Sequence, residues 1–275
     1  MKLLINKTVQ VEVNTLTFNG GELQVKLGNT DIREGDVASI TTRLTSAASI
    51  MELMLVVDAL RRIQPNIKID LKCAYFPYAR QDRVCDQGEA LSVSVATNII
   101  NSLHLNRITV TDAHSDVTTA LLNNVTRKTQ IDVIADYKPI TDLLTSENTT
   151  VLAPDAGASK KAMTLASKYQ SQFVQALKKR SIKTGRIEYT QICGDIQDRD
   201  IFIADDICDG GATFIALAKS LREKGAKSIT LFVTHGIFAN GIAPLAEYID
   251  NIYTTDSFRD ARDYENHPSL NVISL

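Results

Sequence analysis

An apolar run that ends in paired acids and a glycine pair is the feature that most constrains this chain. Residues 201–204 are apolar and predict a buried strand, and Asp205 and Asp206 follow directly. Gly210 and Gly211 come next, before a segment with apolar residues at helical spacing. A strand that leads through a glycine turn into a helix places the helix N-terminus at the C-terminal edge of a sheet. The pattern therefore predicts an α/β sheet with a ligand-binding edge.

This predicted loop has the chemistry of an anion site. Gly210 and Gly211 let the backbone approach a ligand closely, and a helix N-terminus offers unpaired N–H groups, so a phosphate fits there. Asp205 and Asp206 repel the same phosphate, so they suit sugar hydroxyls or a metal ion. The plainer interpretation is a strand–turn–helix junction with incidental acids, and the third acid at Asp209 weighs against it.

Strand-like and helix-like segments alternate along the whole chain, which predicts parallel sheets with helices packed against them. Ser49 and Glu52 form a possible capping box at the start of one helix. The length of 275 residues suits two such units, with the boundary expected near 136–142. The predicted strands lie at 37–40, 67–76, 108–111, 150–153, 200–204 and 228–234.

The composition excludes several classes of function. The formal net charge is −2, and the basic run at 177–186 is short and lacks interleaved aromatics, so nucleic acid is not an expected partner. No apolar stretch approaches the ~20 residues of a membrane span, and no secretory signal is recognisable, so we expect a cytoplasmic protein without membrane contact. Widely spaced Cys73, Cys85, Cys193 and Cys208 indicate reduced thiols rather than zinc ligands or disulfides.

Two further segments give the chain a family resemblance. Residues 75–83, Tyr-Phe-Pro-Tyr-Ala-Arg-Gln-Asp-Arg, resemble the nucleotide-binding segment of the ribose-phosphate pyrophosphokinases, and residues 18–22 resemble their Phe-x-Asp-Gly-Glu turn. The loop at 205–213 resembles the phosphoribosyl-diphosphate fingerprint that this family shares with type I phosphoribosyltransferases. Shorter matches fall in family order at 51–53, 58–62, 111–114, 154–157, 194–196 and 234–236.

The resemblance implies a fold, a reaction and an assembly. The fold would be α/β, with two related phosphoribosyltransferase-like domains, each a mainly parallel sheet flanked by helices. Residues 1–138 would bind the nucleotide and residues 139–275 the ribose phosphate. The reaction would transfer the β,γ-diphosphate of ATP to the anomeric hydroxyl of ribose 5-phosphate, with magnesium, giving phosphoribosyl diphosphate and AMP. A homo-oligomer, dimeric or larger, would let a neighbouring subunit contribute to the nucleotide site.

The family's acceptor-binding roles carry over to the glycine loop. Asp205 and Asp206 would hold the ribose 2- and 3-hydroxyls, partly through magnesium. The cradle of the 5-phosphate would consist of Asp209, Gly210, Gly211, Ala212 and Thr213.

The family's nucleotide-binding roles carry over to the first half of the chain. Arg80 and Gln81 would contact ATP, and Arg83 would lie near its phosphates. Phe18 and Glu22 would reach adenine across a subunit boundary.

Metal-binding and catalytic roles fall on four further residues. His114 and Asp155 match the family's magnesium positions, although an isolated histidine is more often structural. Lys179 and Arg180 match the start of its catalytic loop, which would run to about Tyr189. Cations that close over the diphosphate would stabilise its developing charge and exclude water. A solvated basic helix end is the competing interpretation of the Lys–Arg pair.

Two departures from the family pattern leave the acceptor and the nucleotide contacts open. Gly210 stands where a threonine is usual, and Gly20 stands where an aspartate is usual. The missing side chain at Gly210 makes room for an acceptor that carries more on its phosphate, such as ADP-ribose in NAD-type synthesis. A phosphoribosyltransferase and a non-catalytic subunit that restrains an active partner also remain open as functions of such a chain.

Overall fold

The computed structural model describes the backbone of residues 1–180 and 187–275 and the side chains of residues 1–177 and 191–275. It divides into two compact units, Met1–Thr129 and Gln130–Leu275. The sequence placed the boundary later, after residue 138. The helix that starts at Gln130 accounts for the difference, because its Val133 and Ile134 are buried in the core of the second unit.

The first unit contains the strands β1 (Lys2–Ile5), β2 (Val9–Val11), β3 (Val13–Thr17), β4 (Leu23–Leu27), β5 (Val37–Arg43), β6 (Lys68–Tyr75), β7 (Arg107–Thr111) and β8 (Val125–Lys128). Six of them form one sheet in the order β2-β1-β5-β6-β7-β8, and β3 and β4 form a separate antiparallel hairpin. Strands β5 to β8 are parallel, whereas β1 pairs antiparallel with β2 and β5. The carboxyl ends of β6 and β7 therefore meet at one edge of the sheet.

The helices of the first unit are α1 (Ala47–Ile63), α2 (Ser92–Asn101) and α3 (Asp116–Leu121). Ser46 caps α1 and forms the capping box with Ser49, so the predicted box of Ser49 and Glu52 was wrong. Glu52 accepts a hydrogen bond from Thr15 Oγ1 (2.8 Å) instead, which attaches the β3–β4 hairpin to α1. The middle of β3 is thereby fixed on the helix.

The described part of the second unit contains the strands β9 (Thr149–Ala153), β10 (Gln172–Arg180), β11 (Ile187–Cys193), β12 (Asp200–Cys208), β13 (Ser228–Gly236), β14 (Asn251–Thr255) and β15 (Leu270–Ile273). They form one sheet in the order β11-β10-β9-β12-β13-β14-β15. All neighbours are parallel except β10 and β11. The predicted fold class, two α/β domains with mainly parallel sheets flanked by helices, is confirmed.

Helices cover both faces of the second sheet. On β12, Ile201 and Ile203 pack into a cluster with the helix at 212–223, while Phe202 packs into another cluster with the helix at 159–169. Parallel strands that are buried on both faces need near-continuous apolar sequence, which is why residues 201–204 lack alternation. The helices are α4 (Gln130–Ala135), α5 (Lys138–Leu144), α6 (Ser159–Tyr169), α7 (Ala212–Glu223) and α8 (Ala243–Ala246), with a short 3-10 helix at Ala261–Asp263.

Strand β12 is longer than its apolar sequence indicated. The prediction ended the strand at Ala204, but pairing with β13 continues to Cys208, which lies opposite Gly236. Asp205 and Asp206 are therefore fixed inside the strand rather than in the loop after it.

None of the helices that the structure describes is long and apolar enough to cross a membrane.

Candidate active site

The glycine loop joins β12 to α7 at the carboxyl edge of the second sheet. Gly211 is the N-cap of α7, with a left-handed φ of 79°, and as a glycine it makes no side-chain capping bond. A Cβ on Gly211 would lie 3.0 Å from Leu245 Cδ2, so only glycine fits both the backbone and the packing. The N-terminus of α7 lies directly after this loop, and its partial positive charge favours an anion.

A second segment, which directly follows β13, forms hydrogen bonds to the backbone of this loop. The N–H groups of Ile237 and Phe238 both donate to the Cys208 carbonyl, at 2.9 and 3.1 Å. The N–H of Ala239 donates to the Asp209 carbonyl at 3.0 Å. The carbonyls of Cys208 and Asp209 are therefore already satisfied by backbone donors of this second segment.

The last bond of this series comes from a side chain. Asn240 Nδ2 donates to the Gly210 carbonyl at 2.9 Å. We call residues 237–240 the bracing segment. Its Phe238 has a left-handed φ of 47° and packs edge-on against Tyr264, with 6.1 Å between ring centroids. Such backbone strain in a non-glycine residue persists only where the surrounding packing holds it.

The acids of the site lie in the last part of β12. Asp205 Oδ1 accepts a hydrogen bond from the Asp206 N–H at 2.9 Å, and Asp206 is buried. Burial and the charge of Asp206 raise the pKa of Asp205 well above its ordinary value, and Asp155 adds a smaller effect of the same sign. The sequence-predicted residues Asp155, Asp205 and Asp206 are thus brought together, at the ends of the neighbouring strands β9 and β12.

The chemistry of these acids suits a magnesium ion that is shared with a substrate. Among the described residues, no three His, Cys, Asp or Glu side chains converge to hold a metal by themselves. Magnesium commonly binds through one or two carboxylates and completes its shell with water and substrate oxygens. Mutually repelling carboxylates such as Asp205 and Asp206 fit that mode.

A buried glutamine that the sequence did not reveal supports the acids. Gln130, the first residue of α4, donates its side-chain amide to the Asp205 carbonyl at 2.5 Å and lies 3.5 Å from Thr234 Oγ1. Gln130 and Asp205 are 75 residues apart in the chain, so no local pattern could have indicated the contact. Asn240 was missed for the same reason, since its partner Gly210 is 30 residues away.

Arg80, Gln81 and Arg83 lie in the loop between β6 and α2, and all three are exposed. The loop is ordered by its backbone, because the Gln81 N–H donates to the Tyr78 carbonyl at 2.9 Å and Tyr78 has a left-handed φ of 59°. A hydrogen bond from Ser115 lowers the pKa of Asp82, which ties the loop to the turn after β7.

His114 lies in that same turn after β7 and is exposed. His114 therefore lies near the loop that carries Arg80, Gln81 and Arg83, because Ser115, the N-cap of α3, bonds to Asp82 of that loop. The predicted metal residues His114 and Asp155 belong to different units.

Phe18 and Glu22 form the tip of the β3–β4 hairpin. The Phe18 N–H donates to the Glu22 carbonyl at 2.9 Å, and 49% of Phe18 is exposed. A Cβ on Gly20 would lie 2.7 Å from Glu22 Oε2, so the Glu22 carboxylate occupies the space that a side chain at position 20 would need. The tip presents an aromatic ring and a carboxylate to solvent.

The predicted catalytic pair cannot be placed at this site by its side chains. The backbone of Lys179 and Arg180 ends β10, and their side chains lie outside the described residues. Most of the predicted catalytic loop, residues 181–186, lies outside the described residues as well.

Comparisons with protein-family models match both units. The model of the "N-terminal domain of ribose phosphate pyrophosphokinase" matches residues 4–103, and the "phosphoribosyl transferase domain" model matches residues 121–258. The second match alone covers half of the chain.

Similar proteins carry the same description. The chain is 34% identical over 237 residues to a ribose-phosphate pyrophosphokinase of Aquifex aeolicus, covering 86% of this chain and 74% of that protein. It is 28% identical over 270 residues to a ribose-phosphate pyrophosphokinase of Mycoplasmopsis pulmonis, covering 96% and 82%. The crystal structure of phosphoribosylpyrophosphate synthetase from Mycobacterium smegmatis superimposes with a TM-score of 0.80 at 23% identity, covering 96% and 86%, which establishes a shared fold.

Proposed function

Because the chain belongs to the ribose-phosphate pyrophosphokinase family, we propose that it transfers the β,γ-diphosphate of ATP to ribose 5-phosphate. The anomeric oxygen attacks the β-phosphorus, the bond from the β-phosphorus to its bridging oxygen on the α-phosphate breaks, and AMP leaves with that oxygen. The hydroxyl proton is released to solvent or to a nearby base. The products are phosphoribosyl diphosphate and AMP.

The observation that carries this proposal is the segment from Asp205 to Thr213, in which the end of β12 leads through the glycine loop into α7. The bracing segment binds the loop carbonyls, which are therefore satisfied, and the N-terminus of α7 that follows the loop suits the 5-phosphate. Asp205 and Asp206 stand before that cradle and would hold the ribose hydroxyls. The site has a phosphate-binding loop at one end and carboxylates at the other. It therefore suits a ligand with a phosphate and hydroxyls, such as a sugar phosphate, and not a ligand that is negatively charged throughout. The cradle would consist of Asp209, Gly210, Gly211, Ala212 and Thr213.

The exposed loop after β6 would bind the donor. Arg80 and Gln81 would contact ATP, and Arg83 would approach its phosphates. The hairpin tip supports a homo-oligomer, because exposed Phe18 and Glu22 have the chemistry to stack on adenine and to accept its amino hydrogens in a neighbouring subunit.

Lys179 and Arg180 would be the catalytic cations. Diphosphoryl transfer needs little covalent help, because its developing charge is spread over phosphate oxygens. Cations placed against those oxygens lower the barrier electrostatically, and alignment of the anomeric hydroxyl with the β-phosphate supplies much of the remainder.

His114 in the first unit and Asp155 in the second are each proposed as magnesium-binding positions, and Asp205 and Asp206 would share a magnesium ion with the ribose hydroxyls. When bound, the ion would neutralise charge on the diphosphate and screen the acids from each other. The free thiols, Cys73, Cys85, Cys193 and Cys208, suit a reducing cytoplasm.

The competing functions have less support. The space beside Gly210 is occupied by Asn240 Nδ2, so the missing side chain does not open a channel for a longer acceptor such as ADP-ribose. A phosphoribosyltransferase does not account for the match of residues 4–103 to a pyrophosphokinase domain. A non-catalytic subunit does not account for the acids and the glycine loop, which remain together in one site.

The deciding experiment is AMP release from ATP, with ribose 5-phosphate and ADP-ribose offered separately, with magnesium or EDTA. We expect AMP with ribose 5-phosphate and magnesium only. Asp206→Asn should lower kcat/KM for ribose 5-phosphate about 10- to 100-fold, since a hydrogen bond to a charged group contributes ~1.5–3 kcal/mol. Asp263→Asn, an exposed aspartate of the same unit, is the matched control. Absence of AMP release with either acceptor would favour a non-catalytic subunit.

A further inference from the structure

The side chain of Asn240 lies in the space into which a side chain at position 210 would project. A Cβ on Gly210 would lie 3.0 Å from Asn240 Nδ2 and 3.9 Å from its amide carbon. The φ of Gly210 is not in the left-handed range, so its backbone does not by itself demand glycine. A side chain at position 210 would therefore require the Asn240 amide to shift by a few tenths of an ångström.

The orientation of that amide follows from its hydrogen bond. Only the nitrogen of a carboxamide can donate to a carbonyl, so the bond to the Gly210 carbonyl fixes Nδ2 on the loop side. The nitrogen carries two hydrogens and gives one of them to Gly210. No other acceptor for this nitrogen is found among the described residues, and Asn240 is exposed. A second N–H is thus available beside the loop.

We propose that Asn240 is a further binding residue of the phosphate cradle, and that its second amide hydrogen is donated to the 5-phosphate of the acceptor. The inference rests on the proposed function. It assigns to a residue of the bracing segment the side-chain donor that Gly210 does not supply. Gly210 and Asn240 then act as a matched pair, in which the absence of one side chain admits the other.

The pair explains how the loop recognises a phosphate without a hydroxyl at position 210. The N-terminus of α7 attracts a phosphate through its partial positive charge, and Asn240 adds a side-chain donor from a separate segment. Donors from separate segments suit the tetrahedral arrangement of phosphate oxygens better than donors from one helix turn. The same amide satisfies the Gly210 carbonyl.

The test measures the dissociation constant of ribose 5-phosphate by calorimetry and its KM at saturating ATP. Asn240→Ala removes the donor, and Asn240→Asp replaces it with a negative charge of the same shape. Asn251→Asp, an exposed asparagine of the same unit, is the matched control. We expect Asn240→Ala to weaken ribose 5-phosphate binding about tenfold or more, and Asn240→Asp to weaken it further. The KM for ATP and the melting temperature should stay near those of the native protein.

A rescue variant separates donation from simple bracing. Gly210→Thr in the Asn240→Ala background places a hydroxyl donor in the vacated space, so it should recover part of the lost affinity. Gly210→Thr alone should weaken binding, because its Cβ meets the Asn240 amide.

Two results would overturn the inference. One is an affinity for ribose 5-phosphate within about twofold of native in both Asn240 variants. The other is loss in Asn240→Ala without any recovery by Gly210→Thr, which would show that Asn240 only braces the loop. If the native protein does not turn over ribose 5-phosphate at all, the proposed function fails instead, and calorimetry with ribose 5-phosphate still tests Asn240.

Discussion

Gln130 donates its side-chain amide to the main-chain carbonyl of Asp205 at 2.5 Å, so the first residue of the second unit holds the strand that carries the paired acids. The glutamine is buried, at 4% exposure, and its amide also faces Thr234 Oγ1. A buried amide that fixes a backbone carbonyl acts on the position of a neighbouring carboxylate without touching a substrate. Gln130 is thus a positioning residue for Asp205.

Gln130→Glu should lower acceptor use while leaving ATP binding intact. The carboxylate cannot donate to the Asp205 carbonyl and adds a negative charge beside the acids. We expect kcat/KM for ribose 5-phosphate to fall about tenfold or more, because a buried carbonyl that loses its hydrogen-bond donor costs ~1–3 kcal/mol of free energy. Steady-state kinetics with each substrate varied in turn gives the measurement, and Gln10→Glu, an exposed glutamine, is the control. Equal changes in the KM of ATP and ribose 5-phosphate would argue for a general structural effect.

Asp205→Asn should stabilise the metal-free protein at alkaline pH while impairing turnover. Burial and Asp206 raise the folded-state pKa of Asp205 above its unfolded value of ~3.9, so the protonated acid is the form that the fold prefers. Its contribution to stability is fully present below about pH 4 and is lost as pH rises through the folded pKa. Melting temperatures in EDTA should therefore show Asp205→Asn above native at pH 8, with a smaller difference at pH 4.

Asp263→Asn is the control for that experiment, because Asp263 is exposed in the same unit. A native melting temperature that rises from pH 4 to pH 8 relative to Asp205→Asn would show the opposite sign and contradict the raised pKa.

Thiol reagents should distinguish the four cysteines. Burial raises the pKa of both Cys73 and Cys208 to about 12, whereas Cys85 and Cys193 are exposed. Because the thiolate is the reactive form, we expect only the exposed pair to react with a disulfide reagent at pH 8 in the native state, and all four after denaturation. The double variant Cys85→Ser/Cys193→Ser should show no fast reaction. Rapid labelling of Cys208 in that variant would mean that the glycine loop opens.

Gly211→Ala should destabilise the start of α7. A left-handed φ of 79° costs a non-glycine residue about 1–2 kcal/mol, and contact of the new Cβ with Leu245 adds about 1–3 kcal/mol. Gly35→Ala is a matched control, because Gly35 has a φ of 91° with nothing within 4 Å of its Cβ position. Denaturant unfolding of both variants separates the two costs. Equal destabilisation by both changes would show that the Leu245 side chain moves away from the new Cβ at no cost in folding free energy.

Local sequence was sufficient for the elements of the acceptor site. The apolar run 201–204, the acids and the glycine pair predicted a strand, a turn and a helix, and all three are present in that order. Their physical signals are short-range, since burial on two faces, close backbone approach and helix capping each involve a few consecutive residues. Alternating strand-like and helix-like segments over 275 residues predicted two α/β units, and the family resemblance implied the same division.

Contacts between segments that are distant in the chain could not be predicted from the sequence. Extension of β12 to Cys208 depends on pairing with β13, which no property of the acids themselves reveals. The Asn240–Gly210 and Gln130–Asp205 bonds join segments that only the folded sheet brings together. The division between the units also depends on long-range contacts. It lies before Gln130, because Val133 and Ile134 are buried in the core of the second unit.

The bracing segment sets a limit on transplantation of this phosphate site to another protein. The carbonyls of Cys208, Asp209 and Gly210 are each held by donors from residues 237–240, which arrive from the end of the next strand. A graft of the glycine loop alone would carry the right residues and leave these three carbonyls without partners, free to turn toward the anion. The smallest portable unit is therefore two adjacent parallel strands with the loops at their ends.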